Sequence, residues 1–401
     1  MQITEILGGV TAASGFSAGA AHAGIRRSRR DDLCLVAADK TCPAAGVFTR
    51  NRFAAAPVVV SREHLACGKL RAVILNAGCA NACTGEGGLA DARRTVGLVG
   101  DLLGCATEEV AVCSTGLIGS RLPMGRLERA LPKVVADLDC EGGGRAAAAI
   151  MTTDTVPKEA AAEVSGPWGS FRIGGMVKGV GMLAPEMATL LCVVTTDAAV
   201  GSTALSSALS DATEHSFNRI SIDGCMSTND TVIIMAGGAS GVAVEGSPAI
   251  LEAFKAGLAR VTSSLAAQVV ADGEGASKVL TVKVVGAASG EDAVKAARTI
   301  ADSVLLRCAI HGADPNWGRV LSALGTCDAA YEPGVVSVRY GKHVVAEGGQ
   351  GVEFGAQEAR AYLSGREVEL VVDLGAGDSE ATVLTNDLTP AYIGINSAYS
   401  T

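Results

Sequence analysis

The residue pair with the clearest chemical potential is Ala188 and Thr189. Thr189 begins a β-branched, strand-like run (190–196) and directly follows a loop rich in Gly, Met and Pro. A threonine hydroxyl is a poor nucleophile that needs an adjacent base. If the bond before Thr189 were cut, the new α-amine would supply that base, because its ordinary pKa of about 7.7–8.0 suits proton transfer near neutrality. Lys178 could keep this amine neutral by charge repulsion, or bind a substrate carboxylate.

Two other interpretations fit the same stretch. A threonine at the start of a strand is most often simply a strand-forming residue. Residues 179–184 also match G-x-G-x-x-A, a short glycine pattern of dinucleotide-binding loops, which requires a helix to begin there. Pro185 and the β-branched run after Leu191 argue against a long helix at this place. The spacing alone leaves these alternatives open beside self-cleavage.

Three further stretches carry groups that suit a small polar substrate. A strand predicted at 110–114 runs into Thr115 and Gly116, where a hydroxyl and backbone N–H groups could hold an oxyanion, although the spacing alone favours an ordinary turn. Residues 152–155 place hydroxyl and carboxylate groups in a row after an Ala-rich helix, which indicates either a polar wall or a capped turn. Glu274 lies between two glycines, as a possible ligand or as a solvated loop residue.

These stretches together resemble a known family. Residues 178–190, KGVGMLAPEMATL, are similar to the cleavage-site signature of the ornithine acetyltransferases, also called glutamate N-acetyltransferases, of arginine biosynthesis. The Ser-Thr-Gly-x-Ile-Gly stretch at 114–119, the run at 152–155 and the Gly-Glu-Gly-Ala-Ser-Lys stretch at 273–278 resemble the same family. The resemblance covers nearly the whole chain.

The resemblance implies a self-cleaving acyltransferase. Cleavage between Ala188 and Thr189 would give an α chain (1–188) and a β chain (189–401) that remain associated, as an α₂β₂ assembly. Thr189 would take the acetyl group of N2-acetylornithine as an ester and pass it to glutamate, with no nucleotide, metal or other cofactor required. Whether acetyl-CoA is also a donor is left open by the sequence.

The family also implies the residues of the site. An oxyanion hole falls on the Thr115 side chain and the Gly116 amide. The residues expected to hold the amino-acid part of the substrate are Thr152 (with Thr153 close behind), Lys178, Glu274, Asn396 and Thr401. The motif at 311–319, HGADPNWGR, is interpreted as a loop fixed by hydrogen bonds ahead of a helix.

Other functions share parts of this pattern. A self-cleaving peptidase or amidase, or an acyltransferase of secondary metabolism with another acceptor, would use the same nucleophile. A nucleotide-binding protein that uses residues 179–184 is the alternative from a different class. An uncut chain would favour the nucleotide-binding protein, and release of free acid would favour the peptidase.

Composition limits the partners and the compartment. The net charge is −9 and aromatic residues are 3% of 401, so we expect no nucleic-acid partner. The first residues lack the basic and apolar regions of a signal peptide, so we expect none, and no apolar run reaches the ~18 residues of a membrane helix. The twelve cysteines include no C-x-x-C pair, which makes a zinc site improbable and suits a reducing, cytoplasmic compartment.

The elements that position these residues alternate between strands and helices. We expect an α/β fold with sheets packed between helices in two lobes, a layered sandwich similar to that of N-terminal nucleophile enzymes, with mixed and largely antiparallel strands. Short strands are predicted at 33–38 and 56–61 and a helix at 89–104. Residues 335–346 and 367–385 are expected to form β-hairpins.

Overall fold

The computed structural model describes residues 1–27, 29–182 and 190–398, and it contains two sheets and their covering helices. The strands of the first sheet are β1 (Gln2–Ile6), β2 (Phe16–Ala21), β3 (Leu33–Phe48), β4 (Lys69–Cys79), β5 (Val110–Leu117), β6 (Lys158–Gly166), β7 (Gly169–Lys178), β8 (Leu191–Thr196) and β9 (Thr231–Ala236). Those of the second are β10 (Val279–Ala287), β11 (Ser337–Tyr340), β12 (His343–Glu347), β13 (Gln350–Gly351), β14 (Glu367–Asp373) and β15 (Ser379–Asn386).

Helices lie between these strands along the chain. They are α1 (Ala56–Leu65), α2 (Gly85–Leu103), α3 (Met124–Ala136), α4 (Gly143–Ala149), α5 (Ser202–Glu214), α6 (Pro248–Ala271), α7 (Gly290–Ala301), α8 (Val304–His311), α9 (Trp317–Leu324), α10 (Ala356–Leu363) and α11 (Pro390–Ala398). In the described ranges no helix is both long enough and apolar enough to cross a bilayer. Within the same ranges, no group of three His, Cys, Asp or Glu residues is placed to hold a metal ion.

The first sheet folds back on itself along β3. Its strand order is β1-β6-β7-β8-β9-β3-β4-β5, with β2 also beside β3. The first part of β3 (33–37) pairs with β2 and β4, whereas its last part (44–48) pairs with β9. The register with β4 shifts between Ala37 and Cys42, the kind of irregularity that bends a strand. One long strand therefore belongs to both halves of the sheet.

The two halves of this sheet pack face to face, with helices outside them. Side chains alternate between the faces of a strand, and β8 shows the result. Leu191 and Val193 join a core shared with β2 to β5, whereas Cys192 and Val194 join a core shared with α5 and α6. A third core fills the space between the other half and the helices α2 and α3. The layers run helix, sheet, sheet, helix, which confirms the predicted layered sandwich.

The second sheet forms the other lobe. Its order is β13-β12-β11-β14-β10-β15, and one apolar core joins it to α7, α8 and α9. Among the strand pairs of the described residues, only β4 with β5, β8 with β9 and β10 with β14 are parallel. The predicted α/β class with largely antiparallel strands is confirmed.

Two local predictions are wrong. Residues 56–61 are the first turns of α1, because Pro57 is well suited to the first turn of a helix and Val58 and Val60 are both buried, each in a different apolar core. Residues 367–385 do not form a hairpin, since β10 lies between β14 and β15 and pairs with both. The helix predicted at 89–104 and the hairpin at 335–346 are confirmed as α2 and as β11 with β12.

Four strands begin or end close together at one edge of the folded sheet: β7 and β5 end there, and β8 and β9 begin there. Lys178, the last residue of β7, pairs with Leu191 at the start of β8, and Leu191 pairs with Thr231 at the start of β9. The end of β5, at Thr115, comes to the same place from the opposite half of the sheet, because Lys178 Nζ lies 3.4 Å from Thr115 Oγ1. The fold therefore brings the predicted oxyanion residues to the start of β8.

Candidate active site

A cavity of about 100 Å³ lies at this end of the first sheet. The predicted site residues that line it are Thr115, Gly116, Thr152, Lys178, Glu274 and Asn396. A larger groove of about 1150 Å³ lies between α1 and α5, but none of the predicted site residues lines it. We take the smaller cavity as the candidate active site, because the predicted site residues line it and not the larger groove.

Thr115 and Gly116 form a fixed wall of the cavity. Gly116 has a φ of +129°, a conformation that favours glycine. A Cβ atom on Gly116 would lie 2.3 Å from the carbonyl carbon of Gly78 on β4, so no other residue fits without moving the backbone. Thr115 is 5% exposed. This part of β5 therefore holds a hydroxyl and an amide in a set position, as stabilisation of an oxyanion requires.

Lys178 is a buried cation at the cavity. Its side chain is 4% exposed, and its Nζ lies 3.4 Å from Thr115 Oγ1 and 3.9 Å from Asp154 Oδ2. Burial lowers the pKa of the Lys178 amine from its ordinary value, while the negative charges of Asp154 and Glu274 oppose that shift. An anionic group of a substrate in the cavity could form an ion pair with the Lys178 ammonium group.

Glu274 receives hydrogen bonds from two separate segments. Thr153 Oγ1 donates to Glu274 Oε1 at 2.7 Å, and Asn396 Nδ2 donates to Glu274 Oε2 at 2.8 Å. The backbone amide of Glu274 donates to the Val180 carbonyl at 2.8 Å. The carboxylate is thus held at the cavity, where it suits a cationic group. Thr153 rather than Thr152 contacts it.

Asp154 is a buried residue for which the sequence predicted no separate role. Its Oδ2 accepts from the Thr152 amide at 2.9 Å and from the Thr152 hydroxyl at 3.4 Å, and its Oδ1 accepts from the Gly179 amide at 3.0 Å. Although burial opposes ionisation, the charges of Lys178 and Lys158 hold the pKa of Asp154 well below its ordinary value. A carboxylate within a run of hydroxyl residues was the signal that could have identified it.

Asp230 and Asn229 were also missed. Asp230 Oδ1 accepts from the amide of Leu190 at 2.9 Å, and burial raises the pKa of this carboxyl well above its ordinary value. Asn229 Nδ2 donates to the Ser114 carbonyl at 2.8 Å, which joins the start of β9 to the end of β5. Since Leu190 is bonded to Thr189, Asp230 fixes the main chain next to the predicted nucleophile.

Three predicted residues lie outside the described ranges. They are Ala188 and Thr189 of the predicted cleavage site and Thr401 at the carboxyl end. Their roles stay predictions. The chain is described up to Met182 and again from Leu190.

The glycine pattern at 179–184 is not arranged to bind a nucleotide in its described part. The Gly179 amide donates to Asp154 Oδ1 at 3.0 Å, and the Met182 amide donates to Asp223 Oδ2 at 2.6 Å. Phosphate binding by such a loop depends on free backbone N–H groups. Here two of them are already bound to carboxylates, which would also repel a phosphate.

The motif at 311–319 forms a hydrogen-bonded loop ahead of α9, as predicted. Asn316 Oδ1 accepts from the Arg319 amide at the start of α9, and Asn316 Nδ2 donates to Asp314 Oδ2 at 3.0 Å. His311 Nδ1 lies 2.9 Å from Asp387 Oδ2. None of these side chains lines the cavity.

Comparison with solved structures identifies similar proteins. A crystal structure of the arginine biosynthesis bifunctional protein ArgJ from Bacillus halodurans is 36% identical, with a TM-score of 0.49 over 51% of this chain and 97% of that chain. The ornithine acetyltransferase of Mycobacterium tuberculosis, solved in complex with ornithine, is 46% identical, with a TM-score of 0.44 over 47% of this chain and 100% of that chain.

Comparison with sequences gives matches over almost the full length. The chain is 49% identical over 395 residues to the arginine biosynthesis bifunctional protein ArgJ of Streptomyces coelicolor, which covers 98% of this chain and 99% of that protein. It is 50% identical over 400 residues to the protein of the same name from Mycolicibacterium paratuberculosis, covering 98% and 96%. The ArgJ family model matches residues 17–401. The chain therefore belongs to the ArgJ family of arginine biosynthesis, as its motifs predicted.

Proposed function

We propose that this chain cuts itself between Ala188 and Thr189 and then transfers an acetyl group from N2-acetylornithine to glutamate through an ester on Thr189. One observation carries this proposal. In a member of the ArgJ family, Thr115, Gly116, Lys178 and Glu274 line one cavity at the start of β8, the strand that follows Thr189.

The charges of the cavity match the proposed donor. N2-acetylornithine has a side-chain ammonium and an α-carboxylate, separated by a short aliphatic chain. Glu274 suits the ammonium and Lys178 suits the carboxylate, because charge-assisted hydrogen bonds are the stronger ones. Thr152, Asn396 and Thr401 complete the set of groups that we propose to hold the amino-acid part.

The first half-reaction forms the acetyl ester. The Thr189 hydroxyl attacks the acetyl carbonyl carbon and its proton passes to the α-amine of the same residue, as in other N-terminal threonine nucleophiles. The negative charge that develops on the carbonyl oxygen is stabilised by the Thr115 hydroxyl and the Gly116 amide. The C–N bond then breaks, its nitrogen takes the proton from the amine, and ornithine leaves.

The second half-reaction restores the enzyme. The α-amine of glutamate attacks the ester carbonyl carbon and loses a proton to the Thr189 amine. The ester C–O bond then breaks, the Thr189 oxygen takes that proton, and N-acetylglutamate leaves. Transfer rather than hydrolysis requires that water be kept from the ester while glutamate binds. The relatives are named bifunctional. We propose that the second activity uses acetyl-CoA as an alternative acetyl donor to the same threonine.

Cleavage would leave the two chains interlocked. The boundary between residues 188 and 189 lies between β7 and β8, which are hydrogen-bonded neighbours in one sheet, and β3 is likewise paired with β9. Strands from both products therefore share one sheet, which supports their continued association. The α₂β₂ assembly and a cytoplasmic location remain parts of the proposal. Twelve unpaired cysteines suit a reducing compartment.

The experiment is the Thr189→Ala substitution, followed by denaturing mass measurement and a transfer assay. We expect one intact chain and no acetyl transfer, whereas the unchanged protein gives two chains and acetylates glutamate. Release of acetate without glutamate acetylation would favour the peptidase or amidase alternative. Two chains from the Thr189→Ala protein would contradict the assignment of Thr189.

A further inference from the structure

A buried row of charges lies directly behind the substrate cavity. Lys158 has a fully buried side chain, and its Nζ donates to Asp154 Oδ1 at 2.8 Å and to Asp272 Oδ2 at 2.6 Å. Lys178 lies on the other side of Asp154, with 3.9 Å between Nζ and Oδ2. The four side chains alternate in sign in the order Asp272, Lys158, Asp154 and Lys178. Only Lys178 lines the cavity.

Asp154 is the member of this row that contacts the cavity wall. It binds the amide and hydroxyl of Thr152, approaches Lys178 and binds the amide of Gly179. Thr152 and Lys178 are two of the residues proposed to bind substrate. They come from separate parts of the chain and both contact the same carboxylate. The position of each therefore depends on Asp154.

Asp272, at the end of the row away from the cavity, links residues that lie before and after the proposed cleavage site in the chain. Asp272 follows α6 in the second half of the chain, and it accepts hydrogen bonds from Lys158 Nζ and from the amide of Thr155 at 3.0 Å, both in the first half. The Thr155 hydroxyl also bonds to Asp272. Because Glu274 lies two residues further on, Asp272 anchors the segment that carries the other charged residue of the cavity.

We propose that Asp154 is a positioning residue of the substrate cavity, which Lys158 and Asp272 hold in place so that Thr152 and Lys178 present their polar groups to the substrate. This deepens the proposed function and rests on it for the identity of the substrate. Asp154 itself does not line the cavity. Its role is to fix two groups that do.

Variants of Asp154 and Lys158 can distinguish a positioning role of Asp154 from a purely structural one. A buried ion pair often contributes little net stability, but removal of one partner leaves an uncompensated buried charge. Asp154→Asn should therefore lower the Tm, and the double substitution Asp154→Asn with Lys158→Met should recover part of that loss. If Asp154 positions Thr152 and Lys178, substrate binding should stay weak in the double variant although part of the stability is recovered.

The test compares Tm, KM and kcat for both variants with N2-acetylornithine and glutamate. We expect KM to rise roughly tenfold or more in each variant, because hydrogen bonds to charged groups are lost, with a much smaller change in kcat. A double variant that regains both Tm and the original KM would overturn the proposal. So would an Asp154→Asn variant whose KM is unchanged.

The matched control is Asp197→Asn. Asp197 is also buried, and its carboxylate accepts from the amides of Ser14 at 3.1 Å and Arg172 at 2.7 Å, just past the opposite end of β8. Its loss should lower the Tm without raising KM. A KM increase that matches that of Asp154→Asn would show that any buried carboxylate has this effect, and would overturn the proposal.

A second measurement does not depend on acetyl transfer. Reductive methylation with formaldehyde modifies neutral amines, and its rate at Lys178 can be followed by peptide mass measurement. Asp154→Asn should accelerate labelling of Lys178 several-fold, because the carboxylate that favours its charged form is gone. If the unchanged protein transfers no acetyl group, the proposed function fails, but this rate still tests the positioning. An unchanged rate would overturn it.

Discussion

The hydroxyl of Thr153 donates a hydrogen bond to Glu274 Oε1 at 2.7 Å, and this bond spans the proposed cleavage site. Thr153 belongs to residues 1–188 and Glu274 to residues 189–401. Asn396, from α11, holds the second oxygen of the same carboxylate. The cavity is therefore formed by residues from both sides of the proposed cleavage site. Its polar groups would be complete only if the two products stayed together.

The Glu274→Gln substitution tests recognition of the donor. It keeps the size of the side chain and removes the charge that would bind the ornithine ammonium. Hydrogen bonds to charged groups contribute about 1.5–3 kcal/mol, so we expect KM for N2-acetylornithine to rise roughly tenfold or more. Glutamate has no side-chain cation, and its KM should rise less. Initial-rate measurements with each substrate varied in turn would decide, and an equal rise for both would contradict the assignment.

The Thr115→Val substitution tests the oxyanion wall. Valine keeps the shape of threonine but cannot donate a hydrogen bond. We expect kcat to fall by about 10²–10³, the usual effect of removing one oxyanion donor. Thr115→Ser, which keeps the hydroxyl, should retain most of the activity. A Thr115→Val enzyme within a few-fold of the unchanged protein would show that the hydroxyl has no such role.

The Gly116→Ala substitution tests whether the backbone of β5 at this position must stay in place. Its new Cβ would lie 2.3 Å from the Gly78 carbonyl carbon, so β4 or β5 would have to move. We expect a loss of about 1–3 kcal/mol in the free energy of unfolding, together with loss of transfer.

Gly119→Ala is the control for Gly116→Ala. Gly119 also has a positive φ, of +86°, but a Cβ added there would meet no atom within 4 Å. The variant should therefore lose only about 1 kcal/mol, from backbone strain, and keep its activity. Tm and transfer rates for the pair would decide, and equal effects would contradict the steric argument.

The pH dependence of stability tests the ionisation of Asp154. Its pKa in the folded chain lies well below the value of about 3.9 expected in the unfolded chain. The unfolded state therefore binds more protons in this range, and the stabilisation, present above about pH 4, is lost as the pH falls through the folded pKa. The Tm gap between the unchanged protein and Asp154→Asn should be largest above about pH 5 and shrink toward about pH 2. A gap that is constant with pH would contradict the assignment.

The site was predictable where a motif carries its own chemistry. The motifs predicted Thr115, Lys178, Glu274 and Asn396 as site residues, and the structure places them around one cavity. Their catalytic and binding roles stay predictions. Asp154 and Lys158 were not given roles, because their importance comes from contacts that only the fold creates. Lys158 binds Asp272, more than a hundred residues later in the chain, and Asp154 binds the amide of Gly179. Spacing along the sequence does not show such a contact.

The fold was predictable at the level of class and less so in detail. The run Val58-Val59-Val60 favours a strand by residue type, but it forms α1, whose Ser61 hydroxyl donates to the Val112 carbonyl on β5 at 2.7 Å. Tertiary packing overrides local preference here. The order of β14, β10 and β15 depends on long-range pairing, which separates two strands that are adjacent in sequence.

The most direct test of the central claim is the mass of the enzyme after incubation with N2-acetylornithine in the absence of glutamate. We predict two chains, one beginning at Met1 and one at Thr189, with one added acetyl group on the second chain at Thr189. Addition of glutamate should remove that acetyl group and yield N-acetylglutamate. A single intact chain in fully active enzyme, or an acetyl group carried by any other residue, would contradict the account.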